Sequence, residues 1–250
     1  MHHGICHLSI VPVRILAEDA SEMVTQLLYG DHFKILEKRK YWSKIRDDFD
    51  GCEGWVRNNQ FIPIQKQDSK NLKNTGDTKF SADLVSYVSD GNTALIPIVL
   101  GSAVKNSDFL GHQFEGTLVD SNKGKSNLII TALHYLNSPY LWGGKTPFGI
   151  DGSGLTQMVY KINGHKLLRR AEEQATQGEA LSFIEESEPG DLAFFDNKEG
   201  QINHVGLIMH DNFIIHVNGK VRIDRLDHTG IFNTEQRSYT HKLRVIKKIV

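Results

Sequence analysis

Cysteine is nearly absent: Cys6 and Cys52 are the only two in 250 residues. They form no CxxC pair, which excludes a disulfide framework or a cysteine-rich metal motif and suits a reducing compartment. Charge of one sign is not in excess either, with 29 Lys and Arg against 30 Asp and Glu. Without a broad basic field, counterion release cannot hold a nucleic acid or an anionic membrane, so neither is an expected partner. No run approaches eighteen apolar residues, and the first twenty positions lack a basic start followed by an apolar core and a small-residue cleavage site. The sequence therefore reads as neither exported nor anchored, and a cytoplasmic location is the expectation. What is present is 39% hydrophobic content, enough for one large domain or two to three small ones and against global disorder.

The first sixty-odd residues alternate short apolar stretches with turn residues at Ile5–Val13, Met23–Leu28, Phe33–Leu36, Trp42–Ile45 and Gly54–Val56. That spacing predicts short antiparallel strands in a small barrel or sandwich, spanning 1–65. Residues 65–80 are polar with no apolar period and read as a linker, and a second β module is expected over 80–120. Another polar joint covers 120–127. Beyond it, Leu128–Leu136 and Leu155–Ile162 repeat apolar residues at helical spacing, while Leu192–Phe195, Val205–Met209, Phe213–Val217 and His241–Ile249 look like strands. The last part, 125–250, is thus an α+β domain.

Gly124-Lys125-Ser126 ends like a phosphate-binding loop, but Val119 stands where that loop needs its first glycine. It reads as a solvated linker. The twelve histidines lack a regular ligand spacing such as HExxH, so no metal is expected. His112, His165, His210, His228 and His241, taken singly, read as surface or core residues.

The informative stretch is Pro139 to Tyr160, PYLWGGKTPFGIDGSGLTQMVY, followed by Pro189-Gly190-Asp191-Leu192, Asn203-His204-Val205-Gly206 and Ile215-His216. Asp151 is a good N-cap, and an apolar face runs through Leu155, Met158, Val159 and Ile162 before Gly164 stops the helix. A side chain at position 152 would sit at the positive end of that helix, where an anion is stabilised and a thiol acidified. His204 and His216 stand at neighbouring ends of two apolar strands joined by the turn His210-Asp211-Asn212, which brings them side by side.

These residues resemble the NlpC/P60 family of cysteine peptidases over roughly 127–250. The Tyr-x-Trp-Gly-Gly run, the Asp-x-Ser-Gly turn, Pro-Gly-Asp-Leu, Asn-His-Val-Gly and Ile-His arrive in the family's order. Ser21-Glu22-Met23, Gly30-Asp31 and Gly54-Trp55 resemble the bacterial SH3 modules that precede this domain in hydrolases of the YkfC-like type. The resemblance implies a papain-like α+β domain behind two small all-β SH3-like barrels. It also implies cleavage of free peptidoglycan stem peptides between γ-D-glutamate and a diamino acid, with no cofactor.

Carried over residue by residue, the nucleophilic cysteine falls on Gly152, the general base on His204 and the group that orients it on His216. Tyr140 falls on the oxyanion site. Asp151, Ser153 and, in the first β module, Asp31 fall on positions that bind the substrate's amino end. Asp31 replaces a glutamate and Cys52 a tyrosine of those relatives. Ser153 is no substitute nucleophile, since the next helical position points about 100° away and a hydroxyl lacks the thiol's reactivity.

The expectation is a cell-wall-peptide peptidase seen with its nucleophile replaced, a chain that binds and does not cut. The alternatives are a natural pseudoenzyme or peptide-binding module and, third, a histidine metal site.

Overall fold

A computed structural model describes residues 2–74, 79–91, 94–120 and 124–250. The chain divides into two compact units, Met1–Asn122 and Lys123–Val250.

In the first unit, seven antiparallel strands lie in the order Met23–Leu28, Ile10–Arg14, Glu53–Arg57, Trp42–Asp47, His32–Lys38, His2–Ile5, Ile62–Ile64. Alternation is the cause: along Ile10–Arg14, Val11 and Val13 turn inward and their neighbours stay half-exposed. They pack with Cys6, Leu27, Phe33, Ile45, Val56 and Phe61 into one core. Gly54 is required by close approach, because a Cβ there would lie 2.6 Å from Val13 Cγ1 and 2.8 Å from Arg14 O. Among the described residues, neither cysteine is in a disulfide.

The polar segment read as a linker contains a helix, Lys66–Asn74. Its single large apolar residue, Leu72, is buried with Ile5 and Ile64, and one anchor gives no period to detect. Residues 75–78 of that segment, and 121–123 of the second polar joint, lie outside the described residues. Further on, Val85–Ser89 pairs with Leu95–Val99 on one side and Gln113–Glu115 on the other, beside a two-stranded Lys79–Ser81/Leu118–Asp120 ladder. This small β module shares a core with the seven-stranded sheet: Tyr29 is buried with Val88, Ile98 and Val104, and Ala103 N–H donates to Tyr29 O at 2.9 Å.

The second unit has the expected mixed α and β character. Seven antiparallel strands run Glu179–Leu181, Ser238–Lys248, Leu192–Asp196, Ile202–Ile208, Phe213–Asn218, Lys220–Leu226, Gly230–Asn233. The last also pairs with Ser238–Lys248, which closes six of them into a barrel. Helix Ser126–Leu133 and the helix Gly152–Ile162 accompany the sheet. The latter is enclosed on all sides, with every residue from Gly154 to Ile162 buried. The turn His210-Asp211-Asn212 has the expected role: Asp211 and Asn212 adopt φ of 58° and 59°, the left-handed region that Asx residues tolerate. Lys125, placed by sequence in a solvated linker, instead reaches Asp191 at 2.8 Å and Glu188 at 3.0 Å. Among the described residues, no helix is long and apolar enough to cross a membrane.

Candidate active site

The start of the helix Gly152–Ile162 is fixed by one carboxylate. Asp151 Oδ1 accepts the Gly154 N–H at 2.6 Å, as an N-cap does. Its Oδ2 accepts the Gly143 N–H at 2.8 Å. The buried Arg169 clamps both oxygens, Nη1 to Oδ1 at 2.9 Å and Nη2 to Oδ2 at 2.7 Å. Ser153 Oγ donates to Asp151 Oδ1 at 3.2 Å and accepts from Arg169 Nη1 at 3.0 Å. Asp151 is therefore committed to holding the helix start, and Ser153 is its half-buried neighbour.

Gly152 lies at the first helical position, outside the left-handed φ region. A Cβ built on it would lie 3.3 Å from Val205 O, a tight contact relieved by a shift of a few tenths of an ångström, with His204 Nδ1 next at 3.7 Å. The backbone does not require glycine here. Gly154 is the opposite case, since its Cβ would strike Gly144 O at 2.3 Å.

His204 and His216 come together as the hairpin predicted. His204 Nε2 lies 3.0 Å from His216 Nδ1, and His216 Nε2 lies 3.0 Å from Asp224 Oδ2. Arg222 grips that carboxylate with Nε at 2.7 Å and Nη2 at 3.0 Å. Burial alone would raise the Asp224 carboxyl, but the bonds from His216 and Arg222 prevail and hold it below its usual range. An ionised carboxylate accepts only, so His216 Nε2 carries a proton. A neutral His216 then offers Nδ1 as an acceptor, His204 donates from Nε2, and His204 Nδ1 is left with a bare lone pair. That lone pair sits on the nitrogen nearest position 152.

The row of imidazoles is kept neutral. Burial, with His241 and His216 beside it, pushes His204 well down. His216 is lowered by burial, which the Asp224 bond opposes. His241 stacks on His204 with ring centres 3.9 Å apart and is pushed down to about 4, chiefly by burial. Among the described residues, His204, His216 and His241 form a group able to hold a metal ion, one nitrogen from each lying within 4.8 Å of the others.

Tyr140 is joined to the same segment through its backbone, bridging Ile150 and donating its N–H to Gly219 O at 2.9 Å. Its side chain is half-exposed. Burial and the nearby Asp151 raise its phenol, which therefore remains a protonated donor. Asp31 belongs to the first unit, where its buried Oδ2 accepts the Leu28 N–H at 2.8 Å and closes a turn around Gly30.

Sequence reasoning missed Asp224, Arg222, Arg169 and His241. An acid inside an alternating strand reads as a solvent-facing residue, and nothing local distinguishes buried Arg169 from exposed Arg170. Gln174 is fully buried and bonds Thr156 Oγ1, Ser153 O and Leu168 O.

Residues 137–240 match the NlpC/P60 family, and residues 14–61 match the bacterial dipeptidyl-peptidase Sh3 domain. The γ-D-glutamyl-L-lysine dipeptidyl-peptidase of Bacillus subtilis is 28% identical over 211 residues, covering 77% of this chain and 71% of that protein. Dipeptidyl-peptidase 6 of Lysinibacillus sphaericus is 26% identical over 241 residues, covering 83% of this chain and 85% of that one. An NlpC/P60 family protein of Bacillus cereus has the same fold, with a TM-score of 0.79 over 99% of both chains at 18% identity.

Proposed function

From a chain that belongs to the NlpC/P60 family through residues 137–240 and carries a bacterial SH3 domain before it, we infer a peptidoglycan-peptide peptidase whose attacking group is missing. The substrates are stem peptides containing a γ-D-glutamyl bond to a diamino acid, the bond named in the Bacillus subtilis relative. They are taken as free fragments, as in wall-peptide recycling.

The observation that carries this reading is the aim of His204. Its Nδ1 would stand 3.7 Å from a Cβ at position 152, and a thiol on that Cβ falls within hydrogen-bond reach of the bare lone pair. With cysteine there, His204 takes the thiol proton and the thiolate attacks the γ-carbonyl carbon. The amide C–N bond then breaks, the imidazolium protonates the leaving amine, and water releases the acyl group. Tyr140 donates to the tetrahedral oxygen. With glycine there, ground-state binding survives and turnover does not.

Because Gly152 lies outside the left-handed φ region and a Cβ there would be tight only against Val205 O, the backbone conformation gives no reason for glycine. That favours a peptidase chain with a replaced nucleophile over a binding module shaped around glycine.

Calorimetry and chromatography on L-Ala-γ-D-Glu-L-Lys and its N-acetyl form test the reading. The free peptide binds without being cleaved, and the blocked one binds about ten- to a thousandfold more weakly if the amine is desolvated. Gly152→Cys then releases L-Ala-D-Glu. Absence of binding by the parent together with absence of cleavage by Gly152→Cys overturns the assignment.

A further inference from the structure

Three strands each send one histidine to the same place: His204 from Ile202–Ile208, His216 from Phe213–Asn218 and His241 from Ser238–Lys248. His241 lies just beyond the residues that match the family, and the peptidase reading gives it no task. We propose that these three imidazoles form a binding site for one borderline divalent transition-metal ion of the zinc class. The proposal stands on the geometry of the rings and not on the peptide reading.

Two of the three ring separations match those around such an ion. Imidazoles bound to one tetrahedral zinc at about 2.0–2.1 Å place their ring centres about 5 Å apart and their ligating nitrogens about 3.3 Å apart. His204 and His216 have centres 5.1 Å apart, and His216 and His241 5.6 Å. His204 Nε2 and His216 Nδ1 are already 3.0 Å apart. The stacked pair, His204 and His241, is tighter at 3.9 Å and splays by about 1 Å when an ion enters.

The outer nitrogens supply a second argument. A metal-bound histidine usually gives its other nitrogen to a carboxylate or another polar group, which fixes the ring and its tautomer. His216 gives Nε2 to Asp224 Oδ2 at 3.0 Å, and His241 places Nδ1 2.8 Å from Thr240 Oγ1. Both rings are thus oriented from behind, His216 presenting Nδ1 and His241 Nε2. His204 presents Nε2 once its proton moves to Nδ1, the side on which Gly152 contributes no side chain. Fully buried Phe195 stands against both His204 and His241, with ring centres 5.6 and 6.0 Å away. A donor set of three imidazoles selects zinc, cobalt, nickel or copper over magnesium or calcium. Regular ligand spacing is missing from the sequence because the ligands come from three strands instead of one helix or loop.

The test uses the unmodified chain at neutral pH with Zn²⁺ by equilibrium dialysis and Co²⁺ by visible spectroscopy. One equivalent binds, and Co²⁺ gives the intense band of a four-coordinate ion. His241→Ala weakens binding by about tenfold or more, as loss of a ligand should, while replacing His2 and His3 by Ala changes nothing. Should His204→Ala or His216→Ala fail to fold, His241→Phe and the Co²⁺ band of the parent still decide. No Co²⁺ band, binding that His241→Ala leaves intact, or binding lost with His2 and His3 overturns the site. Peptide titration of the same chain in chelator reports on the peptidase reading separately.

Discussion

Two regions of the second unit face each other across position 152 and differ in what they lack. The helix start is finished as architecture: Asp151 caps it, is clamped by Arg169 and is tied to Gly143, yet the residue it displays has no side chain. The histidine strands are finished as chemistry, with His204, His216 and Asp224 in line at 3.0 Å steps, yet they have no partner to act on. The difference teaches that a catalytic array can be assembled by the fold independently of the atom it serves. Strand register and the Arg222–Asp224 pair set the imidazoles, whereas the helix cap sets the backbone at 152.

The largest effect should come from completing the comparison. Gly152→Cys is expected to raise turnover of γ-D-glutamyl peptides about a millionfold over the parent, the usual cost of deleting a triad nucleophile read in reverse. Its thiol should also be alkylated faster than a free cysteine near neutral pH, since it sits at a helix N-terminus beside an imidazole. A folded variant with an ordinary thiol rate would mean that the two regions do not cooperate.

Next in size are the supports of the helix start. Arg169 is 3% exposed and pairs with Asp151, so Arg169→Met leaves a buried carboxylate uncompensated and should cost about 3–5 kcal/mol in urea unfolding. Smaller is the contrast between two glycines. Gly154→Ala forces a Cβ to within 2.3 Å of Gly144 O and should cost about 1–3 kcal/mol. Gly152→Ala should change stability by less than about 1 kcal/mol, the scale of helix propensity alone. Equal costs at both positions would dissolve the distinction between a glycine the fold needs and one it does not.

Much of this was legible in the sequence. Alternating apolar residues gave the strands of the first unit's sheet, and Asp151 with the apolar run to Ile162 gave the helix start. The hairpin turn at 210–212 gave the meeting of His204 and His216. The missing parts share a physical cause. Helix Lys66–Asn74 buries only Leu72 among large apolar residues, so no period betrays it. Asp224 is buried in a strand whose pattern reads as polar-out, and only its bonds to His216 and Arg222 reveal its place. His241 gains meaning from a stack on a residue 37 positions away in sequence, which no local rule encodes. The expectation for Lys125 erred in the same way, because the partner that takes it out of solvent lies 66 residues on.

That lysine supplies the smallest and most selective test of the scaffold side of the comparison. Asp191, from the Pro-Gly-Asp-Leu motif, is buried, with Oδ2 accepting the Glu188 N–H at 2.8 Å and Oδ1 facing Lys125 Nζ at 2.8 Å. Burial alone would lower the Lys125 ammonium, but its bonds to Asp191 and Glu188 prevail and raise it above the usual lysine range. A group whose folded value is raised stabilises fully below its unfolded value, about 10.4, and loses that contribution as pH rises through the folded value. Lys125→Met should therefore unfold about 1–2 kcal/mol more easily at pH 7. The gap to the parent should hold to about pH 10 and narrow above it. A gap that keeps its size into strong alkali would assign Lys125 a packing role for its methylene stem, and Asp191 would then need no cation to stay buried.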